Sequence, residues 1–200
     1  MMRRFTTART ILRSMRTAML AIPAVVLMMT AQVAREAHAQ APGPSLVDVQ
    51  AVYLFDFAKF VRWPEADHGA LTICVAGPKV YTDTLTRLVK GEQINSRPLA
   101  VRAVQTPEDE ADCAIVFIEN AAKDHTDGLL AATAGKPVLT VSDIPGFLDH
   151  GGMIQFLVID KRVRFSVDLR PAVHSGIGLS SELLKVAVNV SGKDASGGGR

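Results

Sequence analysis

Few residues in this 200-residue chain are suited to chemistry: two cysteines, five histidines and scattered carboxylates. Beyond residue 40 the histidines are His68, His125, His150 and His174, and no two stand at a metal-ligand spacing. Each falls in a predicted loop or at a helix end, where a solvated imidazole explains it. Asp124 and Asp127 flank His125 as one helix face rather than as an acid/base pair. A serine hydrolase would need G-x-S-x-G after a strand, and that pattern is absent. Neither G-x-G-x-x-G nor a Walker A loop is present to cradle phosphate. Ser142-Asp143 before Pro145 reads as a cap and turn. The residues therefore point away from catalysis, cofactor and metal, and toward a binding protein.

Where the chain works bears on its cysteines, Cys74 and Cys113. Arg3, Arg4, Arg9, Arg13 and Arg16 form a basic leader, Ala18 to Thr30 an apolar run, and Ala37-His38-Ala39 an A-x-A cleavage site. Residues 1–39 are expected to be a signal peptide, the mature chain starting at Gln40 in the periplasm. An uncleaved anchor or twin-arginine export fits the same stretch less well. Without residues 1–39 the chain has 16 basic and 19 acidic residues, about −3, so no basic stripe remains for nucleic acid or an anionic membrane. In an oxidising compartment an even cysteine count favours a disulfide, with two separate buried thiols as the alternative.

The element that must organise the rest is Leu46 to Pro64, LVDVQAVYLFDFAKFVRWP. Ala51, Leu54, Phe55, Ala58 and Val61 recur at helical spacing, with Tyr53, Phe57 and Phe60 as a second stripe. Asp56, Lys59 and Arg62 share one polar edge, and Pro64 is expected to end the helix at Trp63. So apolar a helix must be buried.

Leu71–Gly77, Cys113–Glu119 and Pro137–Val141 are short apolar runs of the kind buried parallel strands show. Leu99–Gln105 alternates and suggests a strand nearer the sheet edge. Between them lie a helix from Pro78 to Lys90, with Val80, Leu85, Leu88 and Val89 inward, a short acidic helix opening at Thr106-Pro107-Glu108, and another helix from Asn120 to Thr133. Met153–Ile159 and Arg162–Asp168, separated only by Asp160-Lys161, predict an antiparallel hairpin. A short helix at Leu169 and a terminal one capped by Ser180 follow. The fold class is α/β: a single three-layer domain over residues 40–190, its mainly parallel sheet flanked by helices and ending in a C-terminal antiparallel hairpin. Residues 191–200 (SGKDASGGGR) are expected to be a disordered tail.

Taken in order, YLFDFAKFVRWP (53–64), LTICVAG (71–77), GEQINSRPLAVR (91–102), KPVLTVSDIPGF (136–147), GGMIQF (151–156), RVRFSVDL (162–169) and LSSELLKVA (179–187) resemble the YfiR family of periplasmic regulators. That resemblance covers nearly all of the mature chain. It implies a homodimeric repressor that holds the periplasmic domain of an inner-membrane diguanylate cyclase inactive, lowering cyclic-di-GMP and biofilm formation. An OmpA-like outer-membrane lipoprotein is the implied sequestering partner. Cys74 and Cys113 fall where a family disulfide would. Better-known members carry a second cysteine pair near the hairpin, absent here, so any redox control rests on Cys74–Cys113. Asp56 and Ser166 depart from the residue types expected at their positions. Aromatic and Arg side chains make good interface anchors, which nominates Arg62, Trp63, Phe156, Arg164, Phe165 and Arg170, each equally readable as core packing or a solvated charge. A small-ligand binding protein is the runner-up and would use a concave site at Gly77, Asn120 and Ser142.

Overall fold

The structure is a computed structural model that describes residues 43–64, 69–106, 109 and 112–193. The leader and its cleavage site, His68, most of the acidic segment after Thr106, and residues 194–200 lie outside the described residues.

Helix α1 (Leu46–Phe60) begins with a capping box: Ser45 Oγ accepts from Asp48 N–H at 3.2 Å, and the Asp48 carboxylate accepts from Ser45 N–H at 3.0 Å. The Ser45 hydroxyl, which donates to the Asp48 carboxylate at 2.7 Å, and then the Ser45 N–H hold the Asp48 carboxyl below its ordinary pKa. The helix ends three residues before the predicted Trp63. Val61 takes extended angles, and Val61–Arg62 becomes strand β1, paired antiparallel with β9 (Gly178–Leu179). Ser180 N–H donates to the Phe60 carbonyl at 3.0 Å, so a distant segment satisfies the helix end. Phe60, expected inward, is exposed.

The main sheet contains β2 (Leu71–Ala76), β3 (Gln93–Ile94), β4 (Arg97–Ala103), β5 (Cys113–Ile118), β6 (Leu139–Ser142), β7 (Ile154–Ile159), β8 (Arg162–Asp168) and β10 (Asn189–Ser191). Their spatial order is β10-β8-β7-β6-β5-β2-β4-β3. The β4–β2–β5–β6–β7 neighbours are parallel, β7–β8 and β3–β4 are antiparallel hairpins, and β10 returns parallel to β8. Ser191, at the start of the stretch read as a tail, is thus the last residue of a paired strand. Asp160 and Lys161 both adopt positive φ (49° and 61°), the turn that a two-residue hairpin with right-handed strand twist requires.

Two cores lie on opposite faces of this sheet. One gathers α1, α2 (Lys79–Leu88), α4 (Leu169–His174) and α5 (Ser181–Val186) against Ile73, Val75, Ile115, Phe117, Leu139 and Val141. The other packs Leu129 of α3 (Thr126–Thr133), Val138 and Phe147 against Cys74, Ala76, Val116 and Ile118. Of the residues expected inward on α2 and its end, Leu85 and Val89 are buried and Leu88 packs against the core, whereas Val80 is exposed and Tyr81 takes the inward place in the first turn. The segment after Glu119 forms a 3₁₀ stretch (Asn120–His125), kinked where Ala122 leaves helical angles, followed by α3.

Candidate functional site

Cys74 and Cys113 form a disulfide with Cα atoms 5.8 Å apart, inside the range the bond demands. Strand alternation alone would turn Cys113 to the face of Ile115, away from Cys74. A register shift inserts Ala114 between the Thr72↔Cys113 and Ile73↔Ile115 pairs, and this bulge brings Cys113 onto the face of Cys74. The Arg102 guanidinium lies 3.6 Å from Cys113 Sγ and 3.9 Å from Cys74 Sγ, and donates to the Asp109 carbonyl at 2.7 Å. Both cysteines are buried under it.

At the carboxyl ends of the central strands, where an open α/β sheet holds its ligands, the polar groups are spent on one another. The buried Tyr81 hydroxyl donates to Gln50 Oε1 at 2.6 Å, Gln50 Nε2 donates to Asp143 at 3.4 Å, and Asn120 N–H donates to Asp143 at 2.8 Å. Burial first, then the Asp143 and Glu119 charges, push the Tyr81 hydroxyl well above its usual pKa. Ser142 is fully buried, its hydroxyl donating to the Ile118 carbonyl at 2.6 Å and accepting from Ile144 N–H at 3.0 Å. A Cβ on Gly77 would stand 2.7 Å from Glu119 Cβ, so the glycine there serves close packing. Gly77 does border a concavity of about 430 Å³ with Gln105 and His125, but Asn120 and Ser142 do not line it. The ligand site expected at Gly77, Asn120 and Ser142 is therefore not assembled.

The histidines are likewise dispersed. His150 and Asp127 form an exposed pair at 3.8 Å and, with His174, line a concavity of about 330 Å³. Among the described residues no group of three His, Cys, Asp or Glu side chains could hold a metal ion.

The six nominated anchors separate cleanly. Phe156 and Phe165 are core residues: their rings sit 5.8 Å and 5.1 Å from Phe57, and Tyr53 lies within 6 Å of both. At 3% and 1% exposure they cannot touch a partner, which corrects their nomination. They are a directly opposed pair of the β7–β8 hairpin, on the face that α1 covers. Trp63 is half-buried against the same core, its indole N–H enclosed without a hydrogen-bond partner among the described residues. Arg62 is exposed on β1. Arg170 is exposed but committed: its guanidinium and backbone N–H bind the carboxylate of Asp168, which is itself buried. Those hydrogen bonds hold the Asp168 carboxyl below its ordinary pKa. Arg164 alone borders an open groove.

That groove, of about 620 Å³, runs between the first turns of α1 and the hairpin tip. Its floor is apolar, formed by Leu46, Val49, Tyr53, Val158 and Val163, and Val158 is 64% exposed. Lys161, Arg162 and Arg164 stand along its rim. Of these only Arg164 was nominated from the sequence. The alternation of β8 holds the signal for the rest, since Arg162 and Arg164 share one strand face while Val163 and Phe165 share the other.

Residues 47–188 match the sequence profile of a family described as YfiR/HmsC-like. Among solved structures, the chain is similar to a crystal structure titled as a conserved domain protein from Vibrio cholerae O1 biovar El Tor. The identity is 11% and the TM-score 0.49, with 74% of this chain and 60% of that one covered.

Proposed function

The chain belongs to the YfiR/HmsC-like family, and we propose on that membership that it is an exported repressor of cyclic-di-GMP signalling. In this reading it binds the periplasmic domain of an inner-membrane diguanylate cyclase in its inactive conformation and lowers biofilm formation. An OmpA-like outer-membrane lipoprotein sequesters it, and it works as a homodimer. The carrying observation is the family match over residues 47–188, which spans the whole sheet apart from β10. Two further observations agree with it. The Cys74–Cys113 bond suits an oxidising compartment. No helix among the described residues is long and apolar enough to cross a membrane. A protein of this kind acts by binding one receptor conformation better than another, and needs no catalytic group.

The test is a pull-down of tagged mature protein from membranes of the source cell, with and without reductant, read by mass spectrometry. Recovery of an inner-membrane diguanylate cyclase is the expected result, and deleting the gene should raise cellular cyclic-di-GMP. Recovery lost on reduction would make the disulfide a switch; recovery in both conditions would make it purely structural. No cyclase recovered, together with unchanged cyclic-di-GMP, would overturn the proposal.

A further inference from the structure

We infer that the open edge of β8 and the groove beside it receive an extended, acidic segment of a protein partner, which adds as a strand along Arg162–Arg164. This rests on the partner-binding reading above and specifies its surface and chemistry.

The backbone supplies the first reason. β10 pairs with β8 only from Ser166 to Asp168, so among the described residues no strand flanks Arg162–Phe165 on that side. Val188 N–H donates to the Phe165 carbonyl at 2.9 Å, which shows that Phe165 points its backbone groups outward. In an antiparallel ladder a residue's N–H and C=O point the same way and alternate along the strand. The backbone groups of Val163 therefore also point outward, and among the described residues only the Tyr53 hydroxyl reaches them, donating to the Val163 carbonyl at 3.4 Å. Such an edge is a template for a further strand.

The side chains supply the second reason. An added strand would lie over the apolar floor at Leu46, Val49 and Val158, so that alternate side chains could seat there. Its other side chains would meet Lys161, Arg162 and Arg164, none of whose side chains bonds another described residue. Among the described residues no carboxylate lines the groove. A segment alternating apolar and acidic residues matches both features at once. A second copy of this chain docking the same patch symmetrically would set these three cations against their equals. An anionic bilayer offers charge and acceptor oxygens, but its flat surface does not follow a strand edge set inside a concavity.

The experiment uses the full mature chain and, as probe, the purified periplasmic domain of the cyclase recovered above. Arg162→Glu/Arg164→Glu is exposed and should fold normally; Val163→Pro removes the outward N–H and trims a groove side chain, and its fold is checked by circular dichroism. Both variants are expected to lose about tenfold or more in affinity, with wild-type binding weakening as salt rises. A photo-crosslinker at position 158 should join to an acid-bearing segment of the probe. If wild type binds the cyclase domain but both variants bind equally well, this inference is wrong and the repressor reading survives. If wild type does not bind that domain, both fail. Crosslinks at 158 between two copies, or to vesicles with 30% anionic lipid in preference to the probe, would likewise overturn it.

Discussion

Removing the Cys74–Cys113 bond offers the sharpest check on how this fold is held together. The bond joins positions 39 residues apart, linking β2 to β5 across the centre of the sheet. In the chain-entropy account, a loop of that length constrains the unfolded chain by roughly 4 kcal/mol. A domain of this size shifts its melting temperature by about 2–4 °C per kcal/mol. Cys74→Ala/Cys113→Ala should therefore melt about 8–16 °C below wild type, read by circular dichroism, with the same native spectrum. Because Cys74 is fully buried and Cys113 only 6% exposed under Arg102, reductant should act slowly on the native protein and quickly in urea. A double variant melting within about 2 °C of wild type would refute the reasoning, since the loop entropy would then be offset by strain in the native bond. Rapid reduction without urea would refute the shielding.

Two other perturbations probe separate parts of the fold. A Cβ on Gly152 would overlap the ring of Phe147, which is fully buried, so Gly152→Ala should cost about 1–3 kcal/mol in urea unfolding, or more if the loop cannot shift. Asp168→Asn should cost about 1.5–3 kcal/mol by weakening charged hydrogen bonds to Arg170. The Asp168 carboxyl is depressed in the folded state, so its contribution is fully present above about pH 3.9, its unfolded value, and is lost as pH falls through the folded one. The variant should accordingly show a shallower acid loss of stability than wild type; identical pH profiles would count against the pairing.

The apolar runs at Leu71, Cys113 and Pro137 announce the parallel strands because a strand buried on both faces has few other compositions available. The hairpin was legible for a similar reason: two alternating segments separated by two residues leave the chain little choice. What escaped the sequence depends on partners far along the chain. The early end of α1 is set by β9, more than 110 residues later, which supplies both a strand for Val61–Arg62 and an N–H for the Phe60 carbonyl. The face of Cys113 is set by one bulged residue, Ala114, which no periodicity reveals. Phe156 and Phe165 show that an aromatic pair on a hairpin carries no label of which sheet face will be covered. Gln50 is the converse case, a polar residue on the apolar helix that becomes fully buried because Tyr81 and Asp143 complete its hydrogen bonds.

These placements also bear on how a domain of the proposed kind could silence a receptor. Moving a two-state receptor from 99% active to 1% active requires a preference of roughly 10⁴-fold, about 5.5 kcal/mol, for the inactive form. Exposed ion pairs at a rim contribute at most about 1 kcal/mol each, so Lys161, Arg162 and Arg164 alone fall short of that figure. Strand pairing and burial of apolar side chains must supply the remainder, and they do so only if the receptor presents the matching segment in one conformation. The geometry of β8 would exploit such a difference, because a strand template demands an extended segment and rejects the same residues when helical. Selectivity between receptor states would then come from backbone shape, and the cations would set the rate and the salt dependence of capture.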